Sequence, residues 1–140
     1  MAIDNKAAFY LKDFEISKFN FSKIAHSERE NVSIGFDPEG SYSLKDKIFY
    51  LTLKFRLFNN DSKEDYFNAI ITGFFAFQNV NSLEEVPTYF YKNSIAILYP
   101  YLRAFVSSVT LQANIKSVIL PTMNLSSLEP ELLNSTKEIE

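Results

Sequence analysis

Ile70-Ile71-Thr72-Gly73-Phe74-Phe75-Ala76-Phe77-Gln78-Asn79 (IITGFFAFQN) has apolar side chains at both odd and even positions. Read as a strand, it sends Ile71, Phe75 and Phe77 to one side and Ile70 and Phe74 to the other, because successive strand residues alternate between faces. A strand of this kind needs cover above and below. The rest of the chain must supply it, or a partner must.

Upstream, Lys47–Leu57 (KIFYLTLKFRL) alternates most cleanly. Phe49, Leu51, Leu53, Phe55 and Leu57 share one face, and Tyr50, Thr52, Lys54 and Arg56 share the other. Asn59-Asn60-Asp61-Ser62 is a polar turn into a strand from about Asp65 to Gln78, so the two strands form an antiparallel hairpin. Before them, Asn31–Asp37 places Val32, Ile34 and Phe36 on one face, and Asp37-Pro38-Glu39-Gly40 is predicted to end that strand as a turn. In Phe9–Phe21 the apolar parity changes between residues 14 and 16 and residues 19 and 21, which predicts a bulge near Ser17 or Lys18.

After Pro87 the period changes. Ile95, Leu98, Leu102, Phe105, Val106 and Val109 fall at helical spacing. Asn93 or Ser94 is the expected cap, and Pro100 predicts a kink or an offset start. Leu125–Leu133 is read as a short second helix between the breaks at Pro121 and Pro130. The fold class is α+β: a four-stranded antiparallel sheet with one long and one short C-terminal helix. At 140 residues the chain reads as a single domain, 1–140, with an ordered core over about 9–133 and a flexible tail over 129–140.

Composition narrows the function. A net charge of −3 without a basic run argues against nucleic acid. The absence of cysteine excludes disulfides and thiolate metal sites. MAIDNKAAFYLKDF lacks the apolar region of a signal peptide, and no uninterrupted apolar run approaches 18 residues, so a soluble cytoplasmic protein without membrane insertion is expected. The 14 Phe and 8 Tyr have two readings: a Phe-rich core in a codon-biased genome, or aromatic surface kept for partners.

Chemistry is sparse. His26 stands alone in a polar stretch and reads as surface. Asp61, Glu64 and Asp65, like Glu84 and Glu85, read as solvated turn and cap positions, and Arg103 as a solvent or interface ion pair. Gly35, Gly40 and Gly73 are too scattered to cradle a phosphate. No nucleophilic constellation or metal cluster can be assembled, so neither enzyme activity, metal nor cofactor is expected.

Ile97-Leu98-Tyr99-Pro100-Tyr101-Leu102-Arg103-Ala104-Phe105-Val106-Ser107-Ser108 resembles the SecB chaperones, whose main helix opens Leu-aromatic-Pro-Tyr-x-Arg and continues into small hydroxyl residues. The likeness runs on to Leu120-Pro121-Thr122-Met123-Asn124-Leu125-Ser126-Ser127-Leu128. Upstream, Val32–Asp37 looks like the family's second strand and Gly73-Phe74-Phe75 like part of its fourth. The resemblance implies a homotetramer, a dimer of dimers, acting as an ATP-independent holdase for unfolded or preprotein polypeptides. SecA is a further implied partner, or an antitoxin where such chaperones serve toxin–antitoxin systems; a non-chaperone adaptor for one folded partner is the alternative from another class. It also places client contacts on Val32, Ile34 and Phe36, which could equally fill the core, and on Tyr42 and Leu44, which polar neighbours mark for exposure. Helix and oligomer packing falls to Leu98, Leu102, Phe105, Val106 and Val109. The chain departs from the family where acids for SecA are expected, with Lys18, Ser22 and Asn68 there instead. It departs again at the helix end, with Ala113 for glycine and Lys116 near an expected proline.

Overall fold

The computed structural model describes residues 8–140; residues 1–7 of the expected domain lie outside the described residues. The elements run β1 (Ala8–Phe21), β2 (Val32–Ser43), β3 (Ile48–Asn59), β4 (Asp65–Gln78), α1 (Thr88–Gln112), α2 (Glu129–Ser135) and β5 (Lys137–Ile139). They form one sheet in the order β1-β4-β3-β2-β5. β1 to β4 pair antiparallel, whereas β5 lies parallel to β2 along Ser41–Ser43. The expected four-stranded antiparallel sheet is therefore a five-stranded mixed one. Three residues with two charges carry no alternation to read, and backbone pairing holds β5: Leu44 N–H donates to Ile139 O at 3.0 Å and Ser43 Oγ to Glu140 O at 3.2 Å. Residues 129–140, read as a tail, thus carry α2 and β5.

Alternation fixes the core. Phe49, Leu51, Leu53, Phe55 and Leu57 of β3 are buried, as are Phe67, Ala69, Ile71, Phe75 and Phe77 of β4. α1 covers them with Phe90, Ile95, Leu98, Leu102 and Val106. The Phe90 ring meets Phe49 at 4.6 Å, Phe77 at 4.8 Å and Phe75 at 5.3 Å, in the edge-on geometry that aromatic pairs favour. At Gly73 the helix comes close: a Cβ there would lie 3.1 Å from Leu98 Cδ1. Much of the aromatic excess is therefore core.

The second face of β4 is different. Ile70, Thr72, Phe74 and Ala76 are only half-buried, with Tyr50 beside Phe74 at 5.5 Å, because the helices pack on the opposite side.

Two unpartnered residues in β1, Lys12 and Ser17, mark the register shifts, the second where the parity change predicts it. Asp37–Gly40 is not a turn. β2 runs straight through it, with Pro38 opposite Leu53 and Gly40 opposite Leu51. Proline is tolerated there because β5 reaches only Ser41–Ser43, leaving this part of β2 a sheet edge. α1 starts at Thr88 after Pro87 rather than at Asn93 or Ser94. Ser94 is buried, its Oγ donating to Tyr91 O, and Pro100 sits inside an unbroken helix. The left-handed position after α1 is taken by Asn114 (φ 57°), so Ala113 can close the helix without glycine. Asn114 N–H donates to Leu111 O and Ile115 N–H to Thr110 O, the paired bonds of a Schellman cap.

A Cβ at Gly40 would lie 2.6 Å from both Phe49 Cζ and Thr136 Oγ1. Gly40→Val is expected to cost about 1–3 kcal/mol in urea unfolding and to release β5; wild-type stability would contradict this packing. Burial raises the hydroxyl pKa of Tyr42, Tyr91 and Tyr99 above the ordinary 10.0; Glu85 adds to the rise at Tyr42, while Arg103 opposes it at Tyr99. Unfolded tyrosine ionises first, so their contribution is intact below pH 10 and is lost as pH rises from there through the folded values. The tyrosinate absorbance of these three should therefore appear together with loss of the fold; their ionisation in a native fold would contradict it.

Candidate functional site

Four side chains along α1 hold the segment that follows it. Tyr99 OH donates to Pro121 O at 2.7 Å and Arg103 Nε to Leu120 O at 3.1 Å. Ser107 Oγ donates to Val118 O at 3.1 Å, and Thr110 Oγ1 accepts from Val118 N–H at 2.9 Å. Spacings of three and four residues put all four on one side of the helix. Arg103 is thus a brace for a backbone carbonyl, not an ion pair. The connection 113–125 is laid back along α1 and across toward the open edge of β2.

Between that connection and β2 lies a groove of about 200 Å³. Val32 and Ile34 form one wall, Val118, Ile119 and Leu120 the other, with Ile24 and Leu57 also lining it. A narrower recess continues inward past Phe21, Phe67 and Ile115. Ile119 is 76% exposed, unusual for an isoleucine on a braced segment. Phe36 lies further along β2, its ring 5.8 Å from Tyr99 and 5.6 Å from Phe55. Over Val32–Gly40 the strand has a strand neighbour on one side only.

The predicted contact residues divide. Val32 and Ile34 line the groove together, and Phe36 is half-buried beside it. Tyr42 does not belong with them: it is 0% exposed and its hydroxyl donates to Val80 O at 2.8 Å. Polar sequence neighbours marked it for exposure, but Ser41 and Ser43 take the opposite face of the strand while Tyr42 pairs with Phe49 in the core. Leu44 is half-buried against the core at the same far end of β2. Ile24, Arg29 and Ile119 were missed. The only signals were the apolar run Val118-Ile119-Leu120 before Pro121 and an arginine in a stretch read as plain surface.

A second surface lies on α1. Leu98, Leu102 and Val106 belong to the chain's own core, and Phe105 and Val109 are half-buried at its margin, so none of the five faces outward as a free oligomer stripe. The outward side is Ile97, Tyr101, Ala104, Ser108 and Leu111, all exposed and uncharged. Tyr101 continues onto β1 through Phe14 at 4.5 Å, and Phe105 through Phe19 at 5.0 Å. α1 is long and apolar enough to cross a membrane by length and composition. Its buried face shows how a core helix passes the same test.

The expected SecA-docking positions sit on the outer sheet face. Lys18 pairs with Ile70, across which lies Lys54, and Asn68 lies between Asn20 and Arg56. Asp65 there is bound to Arg56 at 2.7 Å. Glu39 there pairs with Lys54 at 3.1 Å, while Glu28 and Glu85 serve turns, Glu28 accepting from Asn31 and Asn59 and Glu85 from Asn81 N–H. No group able to hold a metal occurs among the described residues.

This architecture, a sheet backed by one long and one short helix, is a SecB-like chaperone fold. The family model "Preprotein translocase subunit SecB" matches residues 5–131, and the chain belongs to the SecB family; it is not an enzyme. It is 28% identical over 106 residues to an uncharacterized protein of Methanocaldococcus jannaschii, MJ0357, covering 72% of this chain and 67% of that one. Among solved structures it matches the Mycobacterium tuberculosis SecB-like chaperone Rv1957, in complex with a peptide of the antitoxin HigA1. The TM-score is 0.61 at 16% identity, over 82% of this chain and 90% of that one. That likeness establishes a SecB-like fold. A Streptococcus agalactiae protein of unknown function also aligns, with a TM-score of 0.45 at 13% identity, over 83% of this chain and 98% of that one.

Thr110→Val removes the acceptor for Val118 N–H and is expected to cost about 1–3 kcal/mol. Amide exchange of residues 115–121 should rise by an order of magnitude or more while that of β3 rises less. Equal changes in both would mean that the hydroxyl does not brace the connection.

Proposed function

We propose that the protein is an ATP-independent holdase, which binds extended segments of unfolded polypeptide in the groove between β2 and the α1–α2 connection. The observation that carries this reading is an apolar groove beside an unpaired strand edge, with Ile119 held in the open on a braced backbone. A client could add main-chain hydrogen bonds along Val32–Asp37 while placing apolar side chains against Val32, Ile34 and Ile119. Each buried side chain contributes ~1.5–3 kcal/mol, and several weak segments on one client reinforce each other by effective concentration. Contacts of this kind are non-directional, which suits many unrelated clients.

Assembly into a homotetramer goes with this reading. Phe14 and Phe19 of β1 join the uncharged face of α1 in one apolar strip beside the free edge of β1, and long free strand edges are ordinarily covered. A cytoplasmic setting suits a cysteine-free chain that meets clients before they fold. Export through SecA has less support: Lys18 and Asn68 stand where a basic partner would need acids. A second reading is a dedicated antitoxin chaperone, favoured by the fold shared with a SecB-like chaperone that carries an antitoxin peptide. It differs in having one principal client.

Light-scattering mass after size exclusion should give a tetramer. With a slow-folding polypeptide diluted from denaturant, that tetramer should elute with the client in a soluble complex without nucleotide. Ile34→Asp with Ile119→Asp should weaken capture at least tenfold while leaving the melting curve within about 3 °C. Capture unaffected by the pair would remove the groove from the function, and an oligomer that ignores every unfolded chain would remove the general holdase.

A further inference from the structure

Among the described residues Arg29 is the one charged side chain lining the groove, and the one charged side chain lining the recess behind it. It shares that lining with Ile24, Val32, Ile34 and Leu57. It is half-buried, and among the described residues its guanidinium has neither an acidic side chain within ion-pair reach nor a hydrogen-bond acceptor; only its backbone N–H is engaged, by His26 O. Its sequence neighbour Glu28 is turned away to the asparagines, Oε2 accepting from Asn31 Nδ2 at 3.2 Å and Asn59 Nδ2 at 3.0 Å, and it forms no ion pair with the guanidinium. The contrast with the molecule's other arginines is direct. Arg56 pairs with Asp65, and Arg103 donates to Leu120 O.

A guanidinium presents five donors in a planar fork, carries no acceptor and stays charged at every physiological pH. Set among apolar side chains, it is short of hydrogen-bond partners that water supplies only from the open side. The ligand group that fits it best is a carboxylate, whose two oxygens match the fork.

Resting on the groove reading above, we infer that Arg29 makes the groove selective for extended polypeptide segments in which one Asp or Glu lies among apolar residues, the carboxylate pairing with Arg29 while the neighbours bury against Val32, Ile34 and Ile119. The carboxylate is that of an internal side chain. An open-ended groove along a strand edge suits a segment passing through, not a chain terminus. Selectivity then comes from one polar contact in an apolar trough, and a lysine at the same client position meets a like charge.

The test uses the full chain and fluorescein-labelled, amidated twelve-residue peptides of Val, Leu, Ile and Ser with a single central Asp, Asn or Lys. A fourth peptide has the Asn sequence and a free terminal carboxylate. In fluorescence anisotropy the Asp peptide should bind about tenfold tighter than the Asn peptide, and the Lys peptide weakest. Arg29→Gln should bring the Asp-to-Asn ratio to about one, chiefly by weakening the Asp peptide. Arg29→Lys should keep part of the ratio, since the charge remains and the fork is lost. Should Arg29→Gln fail to fold, the wild type still decides: its Asp advantage should shrink severalfold from about 0.05 M to 0.5 M salt. Equal binding of the Asp and Asn peptides would overturn the selectivity and leave the groove reading standing. So would an Asp preference that survives in Arg29→Gln, or tightest binding by the free-carboxylate peptide. Binding of none of the four would overturn the groove reading itself.

Discussion

The row of hydrogen bonds from Tyr99, Arg103, Ser107 and Thr110 to residues 118–121 is the constraint on which the rest of the surface depends. Without it the connection between the helices would be a loop of apolar residues with every reason to collapse onto β2. With it, the backbone is satisfied and fixed, and Ile119 cannot retreat. A groove stays open only if its walls are held apart by something stronger than the attraction between them, and here neutral hydrogen bonds and one charged donor supply that. The same residues explain the helix signature in chemical terms: the aromatic hydroxyl, the arginine and the small hydroxyls are tools for holding a neighbouring backbone.

The sheet contributes in a complementary way. Its inner face is dense with aromatic rings centred on Phe90, which makes a rigid floor. Its outer face, with Ile70, Phe74 and Tyr50 half-buried, has no helical layer of its own. β4 is apolar on both sides because its two faces have different obligations, one to the chain's own core and one to whatever lies outside. The edges follow the same division: β5 and the end of α2 cover the far end of β2, Ser135 Oγ donating to Pro38 O, while the groove end is left free.

Legibility in the sequence followed periodicity. β3, β4 and the Ser17 bulge were readable because alternation is a direct imprint of which face is buried. The core stripe of α1 was readable for the same reason: Leu98, Leu102 and Val106 serve the chain's own core, and the outward residues Ile97, Tyr101 and Leu111 are the ones left over. Pro38 and Gly40 misled because they break central strands, and this one is an edge. Tyr42 misled because two flanking serines occupy the other face. β5 was invisible, since three residues held by backbone pairing leave no side-chain pattern. Of the groove, only the β2 wall could be read; the facing wall depends on a connection whose course is set by hydrogen bonds from a helix, and nothing local records it.

The claim at the centre is that unfolded polypeptide lies along the free edge of β2 against the braced connection. Hydrogen–deuterium exchange of the chain with and without a saturating unfolded client reads that directly, amide by amide. Binding there slows exchange along residues 32–37 and 115–121 and leaves residues 66–76 of the outer sheet face unchanged. Slowed exchange on β4 and β1 instead, with the β2 edge as open as before, would move the binding surface to the other side of the sheet and contradict the claim.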